Sequence, residues 1–184
     1  MQRSLSIWQL AGLTFTAVLG TLLHFLYEWT GLLFLTPFSA VNESTWEHMK
    51  ILFFPMFFFA LFQSVFFRKD YANFWCVKAC GISIGVLLIP ILFYTYNGAF
   101  GTSPAWINVA IFFFSAGVAF YLEHKLFQAQ NQSRTSIFPL LFLLLLATLF
   151  ILFTFTPPKL PLFQDPLVGG ATLTATTWPS FQKK

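Results

Sequence analysis

The chain has 184 residues, of which 57% are hydrophobic and 9% charged, and its mean hydropathy is +0.72. A soluble domain carries about 25% charged residues, so this composition excludes a water-facing globular enzyme and a disordered chain. Ten Lys and Arg against six Asp and Glu give a formal charge of +4 that is scattered, which excludes a basic nucleic-acid-binding face, and two cysteines make no disulfide framework.

A membrane-crossing helix needs about 20 mostly apolar residues. Five stretches qualify: 7–27, 47–67, 73–94, 106–126 and 137–156. Backbone groups cannot stay unpaired in hydrocarbon, so each is predicted helical, and the runs lack the alternation of barrel strands. The predicted fold is all-α, a polytopic membrane bundle of about five helices. The first run is a retained helix, because it ends in His24-Phe25-Leu26-Tyr27-Glu28-Trp29 and not in a small-residue cleavage site. With the N-terminus inside, the inner side holds Arg3, Arg68, Lys69, Lys78, Lys125 and Arg134. The outer side then holds Lys50 and Lys159, with Lys183 and Lys184 at the chain end, so the excess of positive charge predicts N-in, C-out.

Pro55 and Pro90 lie inside predicted helices, where each frees a carbonyl, that of Ile51 and that of Val86. From Pro157 to Pro166 the chain is proline-rich and still apolar. It is predicted to lie extended over the outer face, with a Gly- and Thr-rich tail behind it. The organisation is therefore a transmembrane domain over 1–156 and an extended segment with a tail over 157–184.

Four of the six acids and two of the three histidines fall at the predicted outer ends. Ionisable residues near membrane depth are a functional signal by default. His24 and Glu28 are four apart on one helix face, the spacing of a metal-ligand pair, a proton-handling pair or a mutual hydrogen bond. Ser44-x-x-Glu47 is a capping box, in which the Ser44 hydroxyl accepts from the Glu47 amide and the carboxylate returns to the Ser44 amide. Asn42 and Glu43 add acceptors at that helix start, and Lys50 is expected to snorkel outward. His48 is about 100° round the helix from Glu47, so the two do not share a metal without distortion. His24, Glu28 and His48 could, if their helices face each other. Three ligands and a water make the open arrangement of a catalytic zinc, so a divalent metal such as zinc is the candidate cofactor. Asp165, held near the surface by Pro166 and Phe163, is a further candidate. The candidate catalytic set is thus His24, Glu28, Glu47, His48 and Asp165.

Three strings carry a resemblance: His24-Phe25-Leu26-Tyr27-Glu28-Trp29-Thr30-Gly31; Val41-Asn42-Glu43-Ser44-Thr45-Trp46-Glu47-His48-Met49-Lys50; and Pro157-Pro158 through Phe163-Gln164-Asp165-Pro166. Together they resemble a family of small bacterial integral membrane proteins of unknown function, over nearly the whole chain. The resemblance implies a multi-pass protein of the bacterial cytoplasmic membrane and no particular activity. Asn42-Glu43-Ser44-x-x-Glu47-His48 is faintly similar to an Asn-Glu-Thr motif of adiponectin-receptor and haemolysin-III-type proteins, which implies zinc-dependent lipid amidase chemistry.

Three functional readings follow. One is a membrane enzyme acting on a lipid or isoprenoid at the outer face. Another is an accessory subunit whose polar cluster locks helices together and whose partners are other membrane subunits. The third is a small transporter, ranked last because the middles of the third, fourth and fifth spans offer only Ser83, Ser115 and Thr148. Membrane lipids are the expected surroundings of all three.

Overall fold

The computed structural model describes residues 2–101, 104–129 and 136–166. Arg134 and the predicted tail over 167–184 lie outside the described residues. Five α-helices are present: α1 Gln2–Thr30, α2 Thr45–Phe67, α3 Phe74–Phe100, α4 Ala105–Gln128 and α5 Phe138–Phe155. Two short 3-10 helices, Leu33–Leu35 and Pro161–Phe163, follow α1 and α5, and there is no strand among the described residues. Each α-helix is long and apolar enough to cross a membrane.

The helices α1 and α3 overrun the apolar stretches that predict them. Hydropathy marks where a helix meets hydrocarbon, whereas these two helices continue to a residue that takes the left-handed conformation. Gly31 and Gly101 supply it, at φ 64° and 69°. Their N–H groups donate to Tyr27 O and Asn97 O, both at 2.8 Å.

Helix α1 packs on α2 and α4, and α3 packs on the same two, so the first four helices form a ring. Helix α5 lies outside it, along α2 and α3. Within the spans, 67% of α2 is buried against 17% of α5, which makes α2 the central helix. It carries Phe on every side, as a helix buried all round should.

Small residues set how closely the ring closes. On α1, Gly12, Thr16 and Gly20 recur every four residues and make one notched face. The rings of Phe59 and Phe120 fill the notch at Gly12, and Phe112 fills that at Gly20. Gly81 and Gly85 do the same on α3, against the Glu123 side chain and Ala119. Gly20 also admits the Ile51 carbonyl, the group left without its helical bond by Pro55; a Cβ there would sit 3.0 Å from that oxygen. A ring tip can swing aside but this backbone oxygen cannot. Gly20→Ala is therefore expected to cost about 1–3 kcal/mol by overpacking. Gly117→Ala, which meets open space, is the control and should leave the melting temperature in detergent unchanged.

A candidate metal centre beside the first helix connection

Residues 31–44 cross from α1 to α2 and fold back on the ring. The Ala40 N–H donates to Leu23 O at 3.0 Å, which pins this loop to α1. Ser44 caps α2, its hydroxyl accepting from the Glu47 N–H at 3.4 Å. The second leg of the predicted capping box is replaced. The Ser44 N–H donates to Asn42 Oδ1 at 2.9 Å, an Asx turn that already satisfies it.

The Glu47 carboxylate goes elsewhere. It accepts from the Val41 N–H at 3.1 Å and pairs with Lys50. Lys50 does not snorkel outward; it is wholly buried. Its Nζ donates to Thr36 O and Thr154 Oγ1, each at 2.8 Å, and to Glu47 Oε2. An ammonium has three N–H donors, and here each has an acceptor. The knot ties the loop, α2 and α5 together.

With Glu47 engaged, Glu43 reaches the histidines. His24 on α1 and His48 on α2 stand with ring centres 5.4 Å apart. One Glu43 oxygen lies 3.6 Å from His24 Nε2 and the other 3.6 Å from His48 Nε2. One ligand atom from each of the three residues falls within 4.8 Å of the others. Glu28 is exposed on α1, one turn beyond His24, and is not in this group.

The tautomer of His48 follows from its other nitrogen. Nδ1 sits 2.9 Å from Ser44 O, and a carbonyl only accepts, so Nδ1 carries the proton. The other ring nitrogen, Nε2, then faces Glu43 and His24. A backbone carbonyl behind a histidine is also the usual orienting partner of a metal-ligating imidazole. Two electron-rich atoms facing each other at 3.6 Å call for a proton or a cation between them. In tetrahedral coordination with bonds of about 2.0–2.1 Å, ligand atoms stand roughly 3.3–3.4 Å apart. The two 3.6 Å contacts fall on different Glu43 oxygens, and an ion would draw the three ligand atoms, which lie within 4.8 Å of one another, closer together.

The Asp165 carboxylate is buried and accepts from the Glu43 N–H at 3.3 Å. The segment bearing it is clamped by Phe163, whose ring lies 4.7 Å from Trp46 and 5.6 Å from Phe153. Asp165 therefore sets the backbone of Glu43 without entering the group of three. The proline-rich segment, which includes the 3-10 helix Pro161–Phe163, lies at the same end of the ring as the α1–α2 connection.

A narrow, open cleft runs from the group between α3 and α4. Its walls are Ile89, Phe93, Ile111 and Phe112, with Glu43, His48 and Asn108 as polar points. Sequence reasoning took Glu43 only as a helix-start acceptor. Its place between two histidines depends on the fold of the loop, and the one local signal is its position among Asn42, Ser44 and Glu47.

No curated protein and no solved structure matches the chain. Residues 1–172 match the family of unknown function DUF6512, and the chain belongs to that family.

Proposed function

We propose that this protein is a multi-pass membrane protein that binds a divalent transition metal, zinc first, through His24, Glu43 and His48, and acts on a lipid-like amphiphile. The observation that carries the reading is the meeting of two imidazole Nε2 atoms with one carboxylate, each oxygen 3.6 Å from one ring. Three protein ligands leave a fourth position for water, whose pKa a bound zinc lowers to about 7. A metal held by these three residues would supply an activated water for attack on a carbonyl or phosphoryl of a substrate head group. The cleft beside His48, walled by Ile89, Phe93 and Phe112, suits the apolar part of that substrate. The exposed Leu32, Leu33 and Phe34 of the loop suit a membrane interface beside the site. The Lys/Arg distribution supports an orientation with this end of the ring on the outer face.

The test is metal content. The full chain, purified in detergent and stripped with chelator, is expected to take up one zinc per chain and to melt at a higher temperature when loaded. His24→Ala and His48→Ala should each weaken binding by more than the 10–100-fold typical of losing an outer-shell partner. Binding should also weaken on acidification, because protons compete for the same lone pairs. A stripped chain that takes up no zinc, cobalt or nickel, and whose melting temperature none of them moves, would sink the reading.

A further inference from the structure

A second set of polar groups lies away from this centre, in the half of the ring that holds the start of α1. Lys78 Nζ on α3 donates to Glu123 Oε2 on α4 at 2.6 Å, and both side chains are buried. The ammonium also stands 5.6–5.9 Å from the ring centres of Phe59, Phe74, Phe120 and Phe127. Glu123 Oε1 is buried without a partner, and so are both amide atoms of Gln9 on α1 and of Gln63 on α2.

Glycine contacts fix the levels of these residues. Gly12 meets Phe120 and Gly20 meets Phe112, so α1 and α4 run antiparallel with Gln9 level with Glu123. Gly12 also meets Phe59 and Gly20 meets Ile51, which sets Gln63 at the same level from α2. Each of the four ring helices thus gives one polar side chain to a single layer. The same register sets Thr16 level with Ser115, and His24 level with Asn108. Along α1 the steps at 9, 16 and 24 are roughly 10 and 12 Å apart at 1.5 Å per residue.

Thr16 and Ser115 are fully buried and their hydroxyls have no partner. This departs from how hydroxyls behave elsewhere in the molecule. Thr21, Thr30, Thr148 and Thr156 each donate to the carbonyl four residues back. Among the described residues ten buried side-chain N or O atoms lack a partner, and seven of them belong to Gln9, Thr16, Gln63, Ser115 and Glu123. Each such group is destabilising, a burden that apolar side chains of similar size would remove.

We propose that the interior of the α1–α4 ring is a proton path, a transport function that opens into the cleft shared with the histidine group, with Glu123 as the group that takes up and releases the proton. A proton arriving at Glu123 Oε1 makes the carboxylic acid, while Lys78 keeps its own protons. Of the groups level with Glu123, only Lys78 is charged; Gln9 and Gln63 are neutral and offer both donors and acceptors. The acid gives its proton to water held by those amides. At the next level the Thr16 and Ser115 hydroxyls each accept one proton and donate another. It leaves through the cleft beside Asn108. Only O–H bonds form and break, and the charge moved is balanced by a counter-ion that crosses separately. Phe59 and Phe120 in one glycine notch, and Phe112 in the other, close the path until the rings swing aside.

The full chain is reconstituted into phosphatidylcholine vesicles loaded with potassium and a pH-sensitive dye, and valinomycin then sets a negative interior. Wild type is expected to acidify the lumen at least fivefold faster than protein-free vesicles. Glu123→Gln should abolish the excess, but it strands Lys78 and can fail to fold. Thr16→Val and Ser115→Ala remove a hydroxyl and little else. Each should cut the excess rate at least fivefold with an unchanged melting temperature. A wild-type rate equal to that of empty vesicles overturns the proposal. So does a folded hydroxyl variant that conducts at the wild-type rate.

Discussion

Lys50→Met is expected to yield a chain that loses about 3–5 kcal/mol and no longer elutes as a single species after extraction. The substitution removes a buried charge and strands what surrounds it. Glu47 stays buried with an uncompensated carboxylate. Thr36 O loses its donor, and so does Thr154 Oγ1, which is itself held by donating to Phe150 O at 2.9 Å. Adding Glu47→Leu should recover only part of the loss. The double variant removes the lone charge but leaves the Thr36 carbonyl and the Val41 N–H without partners. Size-exclusion profiles after a temperature ramp measure both. A Lys50→Met chain that melts within a degree or two of wild type would show that the knot holds nothing.

The second large effect sets the other buried lysine against the first. Lys78→Met and Glu123→Leu are each expected to cost about 3–5 kcal/mol, but together they should restore wild-type stability or exceed it. The difference lies in what depends on each pair. Lys78 has one hydrogen-bond partner among the described residues, Glu123, and is otherwise boxed by aromatic rings. Removing both charges leaves no backbone group stranded and joins the apolar rings above and below. A double-mutant cycle reads the coupling directly. If the double variant stays as unstable as its singles, the pair is structural and the case for a working role weakens. Full recovery would mean that the layer is kept for something other than stability.

Much of the architecture is legible because a run of about 20 apolar residues is a local property. All five helices announce themselves in that way. Ser44 as a cap, and the two histidines in apolar surroundings, are legible for the same reason. What escapes is pairing between distant segments. Glu28 is the acid at helical spacing from His24, yet Glu43, brought back by the loop, is the acid that meets both histidines. Lys50 looks like a surface lysine near a helix start, and only the return of Thr36 and Thr154 explains its burial. Gln9 and Gln63 are single polar residues in apolar runs, 54 positions apart, and nothing local joins them. The spacing of Gly12, Thr16 and Gly20 was the available signal. A face of small residues marks where another helix comes close, and Gln9 lies on it.

Asp165 gives the histidine centre an order in time. His24, Glu43 and His48 are all synthesised within the first third of the chain, and the carboxylate that holds the Glu43 backbone comes more than a hundred residues later. While the chain is being made, the two rings and the acid exist without the brace that aligns them. The brace arrives only once α5 is in place and Phe163 has docked on Trp46. For the proposed metal centre, this order means that an ion would meet a loose set of ligands on the nascent chain and an aligned set only on the finished one. Loading would then be deferred to the end of assembly, and a chain that fails to seat its last helix would also fail to hold the ion.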